Sequence, residues 1–176
     1  MGSIIKVNEY KDFNNNAIMT SDGAGNVTPN ASGIKNTPSF GVYLNANQSI
    51  SNNTLTKITF NAEYYDTDSA FDSNKFTVPS GKAGKYFFNS SFRYDNGSAY
   101  DVSNIIYKNG VAFIKVRFKQ NTAVDTIQVT GVLDLSAGDY VEIYGLQNQG
   151  GSVDINGDAS GTDATTARFF GYKLIG

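Results

Sequence analysis

Three oxygen-bearing side chains set two residues apart, Asp154, Asn156 and Asp158, lie in the stretch Ser152-Val153-Asp154-Ile155-Asn156-Gly157-Asp158-Ala159-Ser160-Gly161-Thr162-Asp163. A tightly turning loop offers oxygens to Ca²⁺ at such a spacing, and the ion takes about six to eight of them. The bidentate Glu of an EF-hand is missing, and Asp and Asn are also the residues that turns prefer, so a plain solvated loop is the competing reading. A second chemistry open to carboxylates is glycoside hydrolysis, for which Asp66, Asp68, Asp72, Asp134 and Asp139 are the available acids. Neither their spacing nor their neighbours points to a raised pKa, and capping, turn and solvation roles account for them.

Other chemistries are excluded by inventory. The 176 residues contain no cysteine and no histidine, which removes disulfides, thiolate nucleophiles, Ser-His-Asp triads and zinc helices together. Gly23-Ala24-Gly25 lacks the third glycine and the preceding strand of a dinucleotide fingerprint, and no Gly-Lys-Ser/Thr occurs. A net charge of -2 gives no cationic footprint for nucleic acid. No run approaches the ~18 apolar residues of a membrane span, and the N-terminal Met1-Gly2-Ser3-Ile4-Ile5-Lys6 has no signal-peptide pattern. The Asn-x-Ser/Thr sequons therefore read as chance. Tyr64, Tyr65, Tyr94 and Tyr100 could offer contact area to a protein or glycan, although strands use Tyr for packing just as readily.

These residues must be positioned by strands. Tyr and Phe number 11 and 12 and Gly 18, a β-rich and turn-rich composition. From Pro38 onward, β-branched and aromatic runs alternate with Gly, Asn, Asp and Ser at intervals of roughly 8 to 12 residues, the pattern of a sandwich or barrel. Asn109-Gly110 separates Asn104–Lys108 from Val111–Phe118 and predicts a type I′ hairpin whose second strand buries its even face, Ala112, Ile114, Val116 and Phe118. Turns are expected at Asp95-Asn96-Gly97 and Ser136–Asp139, and a long polar loop from Gln149 to Thr166. Arg168–Ile175 predicts a central last strand, since fraying would expose its aromatic side chains. Residues 1–37 read instead as an arm: Ile4, Ile5 and Val7 are too few to bury one another and would pack on something else.

Four stretches in order resemble the globular head of complement component 1q and its tumour necrosis factor relatives. They are Thr59–Tyr65 with Phe71–Pro79; Gly84-Lys85-Tyr86-Phe87-Phe88, similar to a Gly-x-Tyr-Tyr-Phe strand; Leu135-Ser136-Ala137-Gly138-Asp139-Tyr140-Val141, matching Leu-x-x-Gly-Asp-x-Val; and Phe169-Phe170-Gly171-Tyr172-Lys173-Leu174, similar to the closing Phe-x-Gly-Phe-Leu-Leu strand. The resemblance spans residues 38–176. It implies an all-β, ten-stranded jelly-roll sandwich that assembles as a homotrimer, with Tyr86, Phe88, Phe169, Gly171 and Tyr172 in its interface or core. It also implies a calcium position near the trimer apex, to which Asp125 corresponds, with Thr126 in place of the neighbouring amide. Lys173 departs from the pattern, which has an apolar residue there, and no collagen-like Gly-x-y repeat precedes the head.

The combination of no secretion signal, no cysteine, a Gly/Asn/Thr-rich β composition and an arm, Ser3–Asn8, followed by the turn Ser21-Asp22-Gly23-Ala24-Gly25-Asn26 resembles virion proteins of tailed bacteriophages. The combined expectation is a non-enzymatic virion protein, a capsid decoration, head fibre or tail-fibre tip assembled in the host cytoplasm. Residues 1–37 would dock it to capsid or tail proteins, and residues 38–176 would form a head free to adhere to a host-surface glycan or protein. The alternatives are a bacterial surface or spore-coat adhesion trimer and a carbohydrate-active β-sandwich enzyme. No cofactor is expected, apart from the candidate Ca²⁺.

Overall fold

The computed structural model describes residues 9–30, 35–95, 98–120 and 126–175. Among them every regular element is a β-strand. Residues 9–30 form a meander of β1 (Glu9–Lys11), β2 (Ala17–Ser21) and β3 (Val27–Pro29), a sheet separate from all others. Its two turns are built alike. Asp12 accepts from the backbone N–H groups of Asn14 and Asn16 at 2.9 Å, and Asp22 from those of Ala24 and Asn26 at 2.7 and 3.1 Å, with the Asn four residues on also donating through its side chain. The arm expected from sequence is therefore folded locally over this stretch. Ile4, Ile5 and Val7 lie outside the described residues.

The head is a sandwich. One sheet takes the order β13 (Thr126–Leu135), β10 (Gly84–Arg93), β16 (Arg168–Lys173), β4 (Ser39–Tyr43), β7 (Ala62–Asp66). The other runs β12 (Val111–Gln120), β11 (Tyr100–Lys108), β14 (Tyr140–Gln147), β9 (Lys75–Thr77), β8 (Phe71–Asp72), with β6 (Thr56–Lys57) also paired to β14. These two paths of five strands are the ten-stranded jelly roll read from the sequence; β5 (Gln48–Ile50) pairs with β15 (Val153–Ile155) as a small addition. The closing strand is central, as expected, hydrogen-bonded to β10 on one side and β4 on the other.

The side chains between the two sheets are largely aromatic. Phe40, Phe76, Tyr86, Phe88, Phe92 and Phe169 are buried, and Phe40 meets Phe169 edge-on at 4.9 Å and stacks on Phe76 at 5.1 Å between ring centroids. Gly171 makes this packing possible. A Cβ there would stand 2.6 Å from Phe88 and 2.7 Å from Phe40.

The predicted hairpin forms, with Asn109 and Gly110 at φ of 52° and 76°, the left-handed pair of a type I′ turn. Ile114, Val116 and Phe118 pack against the core from the even face of β12. Ala112 does not: a bulge lets β12 pass from Ala112, opposite Tyr107, to Ile114, opposite Ile106, and Ala112 is left exposed. A neighbouring turn clamps the hairpin. Asp139 accepts from the Ser136 N–H at 2.9 Å and the Asn109 amide at 2.8 Å and pairs with Lys108 at 3.2 Å, while Asn109 Oδ1 accepts from the Tyr140 N–H at 2.9 Å.

Replacing Gly171 with Ala should lower unfolding stability by about 1–3 kcal/mol, because the rings on both sides belong to a packed core. A reduced urea midpoint at unchanged slope is the expected reading, and a midpoint equal to wild type would contradict this account of the core.

Candidate functional site

Strand alternation sends a second set of aromatic residues to the outside of the β13-β10-β16-β4-β7 sheet. In β10, Tyr86, Phe88, Ser90 and Phe92 are buried, so Lys85, Phe87, Asn89, Ser91 and Arg93 point outward. In β16, Phe169, Gly171 and Lys173 face inward and Arg168, Phe170 and Tyr172 outward. Register then builds rows across the sheet. Val132, Phe87 and Tyr172 are direct neighbours, with Phe87 and Tyr172 ring centroids 5.3 Å apart. One row along, Phe170 lies opposite Gly41, which lies opposite Tyr65.

Gly41 does for this face what Gly171 does for the core: a Cβ there would come within 2.8 Å of the Phe170 ring and 3.0 Å of Tyr65. Tyr64 stacks parallel to Phe170 at 5.8 Å and on Tyr43 at 4.6 Å. Its hydroxyl donates to the Gly161 carbonyl and accepts from Arg168 Nε at 3.0 Å, and the Arg168 guanidinium also donates to the carbonyls of Gly161 at 3.1 Å and Asp163 at 2.6 Å. The loop after β15 is thus pinned to the edge of an aromatic platform. Val132, Tyr64 and Tyr65 remain 53%, 41% and 45% exposed.

The sequence-based interface set divides along the same alternation. Tyr86, Phe88, Phe169 and Gly171 lie in the core between the sheets, and only Tyr172 lies on the outer face. Phe87, Phe170 and Val132, which sequence reasoning did not select, are its neighbours there. Lys85, Asn89, Ser91 and Arg93 carried the signal, since polar residues at alternate positions mark the outward parity of β10. The tyrosines considered for recognition divide too. Tyr94 and Tyr100 are buried, and burial raises both phenols, Tyr100 to about 12. Tyr94 donates within the sandwich to the Ser103 carbonyl at 2.9 Å, so neither phenol is offered to a partner.

The candidate calcium donors Asp154, Asn156 and Asp158 are placed in strand and turn roles of their own. Val153–Ile155 is strand β15 rather than loop, and Asp154 is a strand residue with an exposed side chain. The Asn156 amide donates to Thr165 Oγ1 at 2.6 Å. Asp158 caps its own turn, one carboxylate oxygen accepting from the Ser160 hydroxyl and from the N–H groups of Thr162 and Asp163 at 2.9 and 3.2 Å. Among the described residues no three acidic side chains cluster as metal ligands would, and Asp125 lies outside them.

Four of the five carboxylates considered for glycoside hydrolysis take local roles. Asp66 accepts from the Phe71 N–H at 2.8 Å, Asp68 pairs with Lys82 at 3.6 Å, Asp72 accepts from the Ser73 hydroxyl at 2.9 Å and Asp139 clamps its turn. Among the described residues, every carboxyl with a displaced pKa is displaced downward, by hydrogen bonds from neighbouring donors first. A general acid requires the opposite.

Two facing antiparallel sheets with this strand order, an aromatic interior and an aromatic outer face define a jelly-roll head. It is the complement 1q/tumour necrosis factor-like fold, in agreement with the resemblance read from the sequence. The globular domain of zebrafish complement 1qA superposes with a TM-score of 0.53 at 19% identity, over 78% of this chain and 98% of that one. Murine APRIL gives 0.57 at 10% identity over 77% and 98%, and the Eiger TNF of S. frugiperda 0.54 at 10% over 77% and 91%. No family profile matches the sequence, and no curated protein matches it by sequence.

Acid should loosen the loop that abuts the platform. Asp158 is held below the ordinary 3.8, first by the Ser160 hydroxyl, so its contribution is present above that value and is lost as pH falls through the lower folded one. The Thr162 amide resonance should titrate with a midpoint below 3.8 and cease to do so in Asp158→Asn. An unshifted midpoint would contradict the capping role.

Proposed function

We propose that this chain is a non-enzymatic virion structural protein: a homotrimeric jelly-roll head, assembled in the host cytoplasm, that residues 1–37 tether to capsid or tail proteins. The observation that carries the reading is the outer face of Phe87, Phe170, Tyr172, Val132, Tyr64 and Tyr65 on one sheet. A contiguous apolar surface of this kind costs solubility unless it is covered, and a second and third copy of the same sheet would cover it. The complement 1q-like fold supports that occupant, since the resemblance implies a trimer.

The N-terminal segment supports the tether. Its meander of three short strands leaves Tyr10, Phe13, Ile18 and Val27 at 53%, 104%, 42% and 58% exposure. A sheet this small without a packed face is marginal in water, so contact with another surface is what would stabilise it. The phage assignment rests on the resemblance of the arm, together with the composition of the chain, to virion proteins. Adhesion to a host-surface glycan or protein would then act through multivalency, many weak contacts on one particle.

Light scattering on the full chain should give the mass of three copies, and Phe87→Glu or Tyr172→Glu, which put a charge into the covered face, should shift it toward one. A wild-type mass of one chain would overturn the assembly, and unchanged mass in both variants would overturn the choice of face. Deletion of residues 1–37 should leave a folded head with the mass of three shortened chains that no longer joins its particle. A head that unfolds on deletion would show those residues to be part of the core instead.

A further inference from the structure

Two charged side chains in the described residues are buried to the same degree, Glu142 and Lys173, each 8% exposed. They are treated differently. Glu142 has the Lys57 ammonium at 2.7 Å. Lys173 occupies an inward position of β16, opposite Tyr86 in register, and its ammonium has no hydrogen-bond or ion-pair partner among the described residues. The ammonium itself is not among the side-chain nitrogens sealed from water, so the covered stem carries it to an opening, where it is placed to meet an anionic ligand. This is also the residue at which the sequence departs from the apolar pattern of the closing strand.

The surroundings of Lys173 form a site. Its stem runs past Gly84, where a Cβ would sit 3.1 Å from Lys173 Cε and 3.7 Å from Nζ, and Gly84 has a φ of 142° that other residues rarely adopt. The strand end is fixed on both sides, by the Lys173 N–H donating to the Pro38 carbonyl at 3.0 Å and the Leu174 N–H to the Lys85 carbonyl at 2.8 Å. Lys173 lines a cavity of about 390 Å³ together with Gly84, Lys85, Asp134, Leu174 and Ile175. Lys85 and Asp134 are direct cross-strand neighbours whose opposite charges offset each other, so Lys173 supplies the net positive charge of the lining residues, and Leu174 and Ile175 supply an apolar side. Such a cavity suits a monoanion with a hydrocarbon body better than a dianion or a neutral polar molecule.

We infer that Lys173, with Lys85 at the rim, binds a carboxylate group attached to an apolar moiety in this cavity at the end of the sandwich. The carboxylate comes either from a small free acid or from a side chain of another copy of the chain, and the two sources have separate signatures. The site lies at the strand ends and its chemistry does not depend on the virion reading.

Calorimetry of the full chain with hexanoate, with hexanol and inorganic phosphate as controls, should be combined with solution mass for wild type, Lys173→Met and Lys85→Ala. For a free acid, hexanoate alone binds saturably, Lys173→Met weakens it at least ~10-fold, as loss of a charged hydrogen bond does, Lys85→Ala weakens it less, and the mass is unchanged. For a carboxylate of another copy, hexanoate does not saturate the wild type and Lys173→Met lowers the solution mass relative to it. Lys173→Met restores the apolar residue of the closing-strand pattern, and Lys85→Ala alters an exposed position, so one of the two remains readable if the other fails to fold. Equal mass in wild type and variants with no hexanoate binding, or binding insensitive to both substitutions, would overturn the inference.

Discussion

The head depends on a reciprocal exchange of rings and glycines across one strand pair. In β16 and β4, Gly171 lies opposite Phe40 and Phe170 lies opposite Gly41. The first pair faces the core and the second faces out. Each ring lies over the bare backbone of its partner glycine, so a central strand carries large aromatics on both faces without forcing its neighbours apart. Added methyl groups at the two glycines would meet ring carbons at 2.7 and 2.8 Å. The core and the outer platform are thus two sides of the same constraint.

Around that pair, the segments by which the sequence resembles complement 1q heads turn out to be architectural. The Leu-x-x-Gly-Asp stretch places Asp139 where it accepts from Ser136 and from Asn109, joining the turn before β14 to the tip of the β11–β12 hairpin. Gly138, at a φ of 87°, lets its N–H reach the Val78 carbonyl at 2.9 Å. The Gly-x-Tyr strand and the closing strand supply the inward rings. These residues build the fold, and a fold shared at 10% to 19% identity does not by itself bring a function with it. What distinguishes this chain lies on the outer face, at the strand ends and in residues 9–30.

The sandwich was legible because its signals are local and periodic. Asn109-Gly110 requires left-handed backbone and fixes a hairpin; the aromatic closing strand demands a central place. The bulge that exposes Ala112 has no local signature, being set by how β12 must shift to keep Ile114 inward. Part of the expected polar loop is a strand for a related reason. Val153-Asp154-Ile155 alternates as a strand does, but the polar residues around it masked a period only one repeat long, and pairing with β5 decided the matter. The outer face was missed through parity: a run such as Tyr86-Phe87-Phe88 is aromatic throughout, and only the polar positions flanking it reveal which ring turns outward.

Parity also frames the charged residues. An inward position in a sandwich is normally closed to water, so a lysine there must reach a partner or an opening. Along β16 the inward series is Phe169, Gly171, Lys173, running from the aromatic centre to the end where Gly84 leaves the backbone bare. The same absence of a side chain that seats rings in the middle of the sheet makes room for an ammonium at its end. Tight packing and a cationic cavity therefore arise from one device, glycine opposite a large side chain, used at two depths of the sandwich. At the centre the neighbouring groups are carbon and the space closes; at the end they are charged and the space stays open to a ligand.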